Sequence, residues 1–489
     1  MGNKGTYSSK TYHSTIDQHK MNKRVLVPPL ATIPRLKVTS WVNDGLPELL
    51  WAALLVSHLP PANALALLRK IVKYAAEFHG DDRPSDITHT GLSSLQPAVR
   101  DEILDILVEA DEHRNILRPL LLFDIPSRKA WATKIRAHPS EIDWQAVMFA
   151  VGRTLDHQSR ESTDCRWVRL LCMMVSGRIK FPLKAKGMAE EILYYPDRGD
   201  LRGVRPTIRA MELGLREMDK TVRSWPAQFW QQCLRETPCY CFPESEVVGS
   251  TIHVSLERVK QLYDLLVGHC NRTRTTSSKN IRHDTVFGVS LYCLSIVLEL
   301  LRNNISQSIL ARIALRTIVD CFISLKYLVT RDTSELWESY RVFGAGQAKL
   351  SYLKLDELVQ KPGYVDVNTL QRLANEDIWE ELLPIDLGHW AGKDLRTLSI
   401  GAGVKDVYDR FYSWTSTFSH GHWGAIRDVG FTVCANPLHR LHRIPRNSAR
   451  VLSDVIPDVC FLIDGLLETV SQCYPQFPHR LQNNLNKRT

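Results

Sequence analysis

The stretch 305–329 is apolar nearly all the way round a helix. Ile309, Leu310, Ile313, Leu315, Ile318, Val319, Phe322, Ile323, Leu325 and Leu328 cover most of its surface. A helix with no broad polar face has to be enclosed by other elements. Partners of helical periodicity lie at 284–301, 334–358, 404–419 and 447–473, and strand-like alternation is hard to find. The second half therefore reads as an antiparallel helical bundle built around 305–329.

The first half is also helical. A helix beginning near Trp41 is stopped by Pro60-Pro61, and another follows over 63–78. Further segments fall at 95–110, 140–151, 166–176 and 207–220, the last with Pro206 set as its entry residue. The expectation is an all-α protein: an N-terminal stack of helical hairpins followed by a C-terminal antiparallel helical bundle. Boundaries are expected at 1–40 for a flexible basic arm, 41–245 for the first helical domain, 250–475 for the bundle and 476–489 for a basic tail. A chain of 489 residues is long enough for more than one core.

The net charge is +9, which favours acidic partners such as nucleic acid. Part of the excess sits in the N-terminal arm and part in the run from His439 to Arg450. Eleven cysteines, an odd number, with several inside apolar helices, fit a reducing, cytoplasmic setting. No segment reads as a membrane span. Residues 49–68 are uncharged but broken by Pro60-Pro61, and 285–298 is shorter than the ~20 residues a span needs. The start, Met1 to Thr6, fits an acylation pattern that has no meaning in a bacterial cell.

Two polar stripes interrupt the apolar pattern. Arg312, Arg316 and Asp320 recur every four residues along 305–329. They read either as an internal ion pair or as an anion site in a bundle cleft. On 404–419, Tyr412, Ser416 and His420 share one helical face. A histidine there can move protons near neutral pH; the competing reading is a polar bundle core whose hydroxyls bond to one another. His420 and His422, two apart, diverge on a helix, unless Gly421 ends it and lets them meet Asp386, His389 or Asp428 around a metal. Cys233, Cys239, Cys241 and His253 match no standard zinc spacing and read as a loop with incidental thiols. Neither Gly344-Ala345-Gly346 nor Gly401-Ala402-Gly403 completes a nucleotide-binding loop. No cofactor or metal is expected.

Residues 311–340, ARIALRTIVDCFISLKYLVTRDTSELWESY, and the later HWAGK…Y…YSWTSTFSHG block resemble an uncharacterised bacterial family, domain of unknown function 5677. The shared features fall on Arg316, Lys326-Tyr327-Leu328, His389-Trp390-Ala391-Gly392-Lys393, Tyr412, Ser416 and His420-Gly421, roughly the C-terminal half. That family looks like a distant relative of the higher-eukaryote-and-prokaryote nucleotide-binding (HEPN) helical bundles, many of which are ribonucleases of toxin and antiviral systems. Their signature is an Arg, four to six intervening residues, and then a His on the same helix. No such forward spacing is read in this chain: the near cases run in reverse, His422 to Arg427, or stand too close, Arg153 to His157.

The resemblance implies a HEPN-like RNA-targeting effector of a toxin or phage-defence system, with metal-independent ribonuclease-like activity. Arg316, Tyr412, Ser416 and His420 would be its catalytic residues, and RNA or another phosphate-bearing ligand its partner. Self-association is compatible with the sequence. The alternative is a non-catalytic helical scaffold or sensor that binds a protein or nucleic acid.

Overall fold

The computed structural model describes residues 18–23, 25–27, 40–80, 83–181, 185–218, 224–241, 254–376, 379–440 and 442–482. Most of the N-terminal arm, its acylation pattern, His253 and the end of the basic tail lie outside them. The described residues are almost entirely helical, with two very short strand pairs. One pair, Lys20–Asn22 with Val25–Val27, is antiparallel and falls within the arm expected at 1–40. The chain divides into two compact units: 1–242 with 433–443, and 243–432 with 444–489. The segment 433–443, which the sequence reading gave to the bundle, groups with the first unit.

In the first unit the centre is the helix Leu50–His58, buried from Leu50 through Ser57. Pro60-Pro61 ends it because a proline cannot donate to the preceding turn, and Pro61 then opens Pro61–Glu77, where its fixed φ suits the first helical position. Pro206 behaves differently from the sequence expectation. It lies inside the helix Leu201–Met218 rather than at its start. Lacking an N–H, it cannot supply the helical donor to Arg202 O, four residues back; one residue on, the Thr207 hydroxyl donates to Gly203 O at 2.9 Å. Buried tryptophans place their indole donors on backbone carbonyls: Trp41 on Thr154, Trp51 on Ile87 and Trp167 on Ile192.

This core also holds charge. Arg169 of the helix Arg160–Val175 donates to Glu212 at 2.8 Å and to Asp86 at 3.2 Å. Burial pushes the Asp86 carboxyl up, but Arg169 and the Thr88 hydrogen bonds outweigh it and hold the group below its ordinary value. Arg166 lies 4.3 Å over the Trp41 ring.

His89 is fully buried edge-on to Trp131 and Trp225, with neither ring nitrogen hydrogen-bonded. Burial depresses its pKa to about 3. The folded ring stays neutral while the unfolded chain takes up a proton near pH 6.5, so the stabilising difference is complete above that pH and is lost on acidification. Lowering the pH from 6.5 to 5 should cost about 2 kcal/mol through this group. Urea midpoints at the two pH values check it: the drop should be smaller in His89→Leu than in the wild type.

In the second unit the helix Ile309–Arg331 occupies the middle, packed against Ile281–Arg302, Leu395–Gly401, Ser413–Ser419 and Ile456–Cys473. This is the surrounding that its all-round apolar surface demands. Ser308 caps it by accepting from Ala311 N. Gly465 allows Ile456–Cys473 to approach closely, since a Cβ there would sit 2.6 Å from the Phe322 ring. Among the described residues, one helix, Ile281–Arg302, is long and apolar enough to cross a membrane, and half of its most apolar window is buried within the protein.

Candidate functional site

The helix expected over 404–419 is interrupted. It runs as Lys405–Val407, a π-helical turn Tyr408–Tyr412, and Ser413–Ser419. The wide turn brings residues four apart nearly into eclipse, and Tyr408 stacks on Tyr412 with ring centroids 4.5 Å apart. Such π insertions are rare and frequently mark functional positions.

Tyr412 faces Arg316. The guanidinium carbon lies 3.9 Å from the ring centroid, a cation–π contact that holds the charge flat against the helix. Arg316 also pairs with Asp320, one turn along its own helix. Its Nε is buried without a hydrogen-bond partner. Burial raises the Asp320 carboxyl pKa, with Arg316 opposing, and His389 acts on it electrostatically. Burial in turn lowers the His389 pKa.

His389 belongs to the HWAGK loop. Its ring lies 5.4 Å from that of Trp390, which meets Tyr340 edge-on at 5.1 Å and Tyr327 at 6.1 Å. Lys393 reaches the Tyr327 hydroxyl at 3.4 Å. Beside Trp390 opens a cavity of about 630 Å³, lined in part by Tyr340, Arg341, Phe343, Gly288 and Leu373. Burial pushes the Tyr340 phenol up to about 12, so it remains protonated near neutrality.

The four residues singled out from sequence do not form one cluster. Arg316 and Tyr412 touch. Ser416 is half-buried one turn on, and its carbonyl accepts from His420 N at 3.1 Å. His420 is exposed at the helix end, with its ring 5.7 Å from that of His422. Among the described residues no side-chain hydrogen bond joins His420 to Tyr412 or Ser416. Eight residues of helix separate Tyr412 from His420, about 12 Å along the axis.

Gly421 explains why the two histidines converge. It adopts φ +58, and His422 N bonds back to Thr417 O at 2.9 Å, closing the helix in a left-handed glycine cap. His422 then caps the next helix, Trp423–Gly430. Two residues that sequence reasoning passed over flank the pair: Trp414 is 51% exposed and Trp423 is 62% exposed. Trp414 packs on Gly424, where a Cβ would come within 3.3 Å of its ring. Arg427, one turn beyond Trp423, is exposed. The result is a surface that alternates indole, imidazole and guanidinium groups. Their exposure was the missing signal, since aromatic residues on a helix of a bundle are more often core.

Contrary to the sequence reading, one forward spacing of this length does occur, from Arg83 to His89, but Arg83 precedes the helix His89–Ser94 rather than sharing it. Arg83 is exposed while His89 is sealed in the core, so that pair cannot act together on a ligand.

Asp386, His389 and Asp428 do not join His420 and His422 in any metal-sized group. Among the described residues one group of potential metal ligands converges, and it lies in the first unit: Cys239, Cys434, His439 and His442, their ligand atoms all within 4.8 Å of one another. Of the other thiols in the sequence's ragged motif, Cys233 is buried in the hydrophobic core and Cys241 is exposed outside the group.

Residues 290–433 match the model of a family of unknown function, DUF5677. The matched stretch contains Arg316, Asp320, Tyr340, His389, Tyr412, Ser416 and His420. No curated protein and no solved structure matches the chain.

Proposed function

We propose that the chain is a HEPN-like, RNA-targeting effector of the toxin or phage-defence type, acting in the cytoplasm without a metal in the reaction. The observation that carries this reading is the exposed His420–His422 pair flanked by Trp414 and Trp423. Indole faces offer sequence-tolerant stacking for unpaired bases, and basic groups between them hold the backbone. The roughly 12 Å of helix axis between Tyr412 and His420 suits a strand, which rises ~3.4 Å per nucleotide in a stacked helix, better than a single small ligand.

In this reading one histidine of the pair removes the 2′-hydroxyl proton. The 2′ oxygen forms a bond to phosphorus, the bond from phosphorus to O5′ breaks, and the other histidine returns a proton to O5′. The products are a 2′,3′-cyclic phosphate and a 5′-hydroxyl. Arg316, committed to Asp320 and Tyr412, positions the helix that carries His420. Ser416 orients the helix end.

Binding tests the surface. Trp414→Ala and Trp423→Ala should each weaken binding of labelled single-stranded RNA by about 1–3 kcal/mol, roughly 5- to 150-fold, measured by fluorescence anisotropy. Unchanged affinity in the double variant would contradict the stacking role. Induced expression of the wild type and of His420→Ala, with growth and RNA integrity followed in parallel, tests the activity in cells: the wild type should slow growth and fragment RNA, and the variant should do neither. A second reading, a ligand sensor, is favoured by the cavity beside Trp390. It predicts intact RNA in both strains.

A further inference from the structure

We propose that Cys239, Cys434, His439 and His442 hold a zinc ion that fastens the 433–443 segment to the N-terminal unit. The four ligand atoms lie within 4.8 Å of one another. Cys239 Sγ is 3.5 Å from His439 Nδ1 and 3.5 Å from His442 Nε2, and Cys434 Sγ is 3.3 Å from His439 Nδ1. With Zn–S near 2.3 Å and Zn–N near 2.0–2.1 Å, a tetrahedral ion sets sulfur and nitrogen ligands about 3.5 Å apart. The observed spacings are those of the edges of such a tetrahedron. Two thiolates and two imidazoles are a donor set that suits zinc over the hard cations.

The surroundings prepare the ligands. Thr237 Oγ1 donates its proton to Cys233 O at 2.7 Å, so toward His439 Nε2, 3.0 Å away, it can only accept. That places the ring proton on Nε2 and turns the Nδ1 lone pair toward both sulfurs. An outer partner that fixes the tautomer in this way is what a metal-bound histidine requires. Asn436, fully buried, donates from Nδ2 to Thr237 Oγ1 at 3.1 Å and to Pro238 O at 2.8 Å. Its backbone N–H points at Cys434 Sγ, 3.4 Å away, and so favours a thiolate there. Cys434 is itself fully buried.

The site joins chain segments about two hundred residues apart in sequence. Cys239 follows the helix Trp225–Glu236, and the other three ligands come from a short turn at Pro437–His439 and its flanks. Cys434 N bonds to His442 O, Ala435 N bonds to Tyr240 O, and the backbones of Cys241 and Cys434 pair in an isolated antiparallel β-bridge. Leu438, next to the ligand His439, is buried in the core of the N-terminal unit. Four protein ligands complete the shell, leaving no position for water or substrate, so the ion is structural and independent of the proposed RNA site.

Metal analysis of the full-length protein, purified without chelators from zinc-supplemented cells, tests this directly. One zinc per chain is expected. Co²⁺ exchanged into the protein should give the visible bands of a tetrahedral ion together with thiolate charge-transfer absorption. Cys239→Ser and His442→Ala should lose both signals. Cys239 is exposed and His442 only half-buried, so circular dichroism of these variants separates a lost ligand from a lost fold. Cys241→Ser serves as the control and should keep the full stoichiometry. Thr237→Ala should bind zinc some 10- to 100-fold more weakly. A wild type with neither zinc nor a cobalt spectrum would overturn the proposal, as would full zinc retained by Cys239→Ser and His442→Ala, or a thiol titration showing Cys239 and Cys434 joined as a disulfide.

Discussion

Replacing His420 by alanine is expected to slow RNA cleavage by the purified protein about 10²–10⁴-fold, the usual worth of a positioned proton-transfer group, while leaving the helical signal unchanged. His420 is exposed at a helix C-terminus whose closure is made by backbone bonds and Gly421, not by the imidazole. On the proposed reading its loss therefore removes the proton-transfer group without opening the core. His422→Ala should cost a similar factor, and the double variant little more than either single one, because groups that act as a unit are not additive. Single-turnover rates on a labelled oligonucleotide make the comparison. A His420→Ala enzyme within threefold of wild type would remove the residue from the mechanism.

The largest expected effect on stability lies in the other unit. Arg169→Ala should destabilise it by about 3–5 kcal/mol. Arg169 has 4% of its side chain exposed and Glu212 has none, so deleting the arginine removes the hydrogen-bonded cation from a carboxylate in the core. Asp86, held ionised by the same guanidinium, loses it too. Arg166, 3.9 Å from Glu212, keeps an ion pair with it, which places the expected loss toward the lower end of this range. Because the cost comes from the charge left behind, Arg169→Met combined with Glu212→Gln should recover part of it. Urea unfolding of the three proteins decides: a loss below about 1 kcal/mol in Arg169→Ala would mean that water reaches Glu212.

The all-α class was legible because one helix, 305–329, has no polar face and must be enclosed. The breaks at Pro60-Pro61 were legible for an equally local reason. Pro206 was not, since a proline reads as a helix start and nothing local reveals that the five residues before it, from Leu201, are helical too. The polar stripes were legible as spacing. Arg316 and Tyr412 meet as their register allows, and Arg316 takes the internal pairing with Asp320 that was one of its two readings. Exposure was not legible: His420 and the two tryptophans face outward, and only the packing of neighbouring helices decides that. The cysteine–histidine cluster was least legible of all. Its ligands follow no local spacing, because the fold brings Cys239 to a turn some two hundred residues later, and the nearby Cys233 and Cys241 drew the eye to the wrong thiols.

The central claim is that this chain cuts RNA at the His420–His422 surface without a metal. The most direct measurement incubates the purified full-length protein with a single-stranded RNA and with the DNA of the same sequence, in buffer without added divalent metal, and identifies the ends produced. The account predicts RNA fragments ending in a 2′,3′-cyclic phosphate and beginning with a 5′-hydroxyl, uncut DNA, and no fragments from His420→Ala. Intact RNA with the wild type, or equal cutting by the variant, would contradict it.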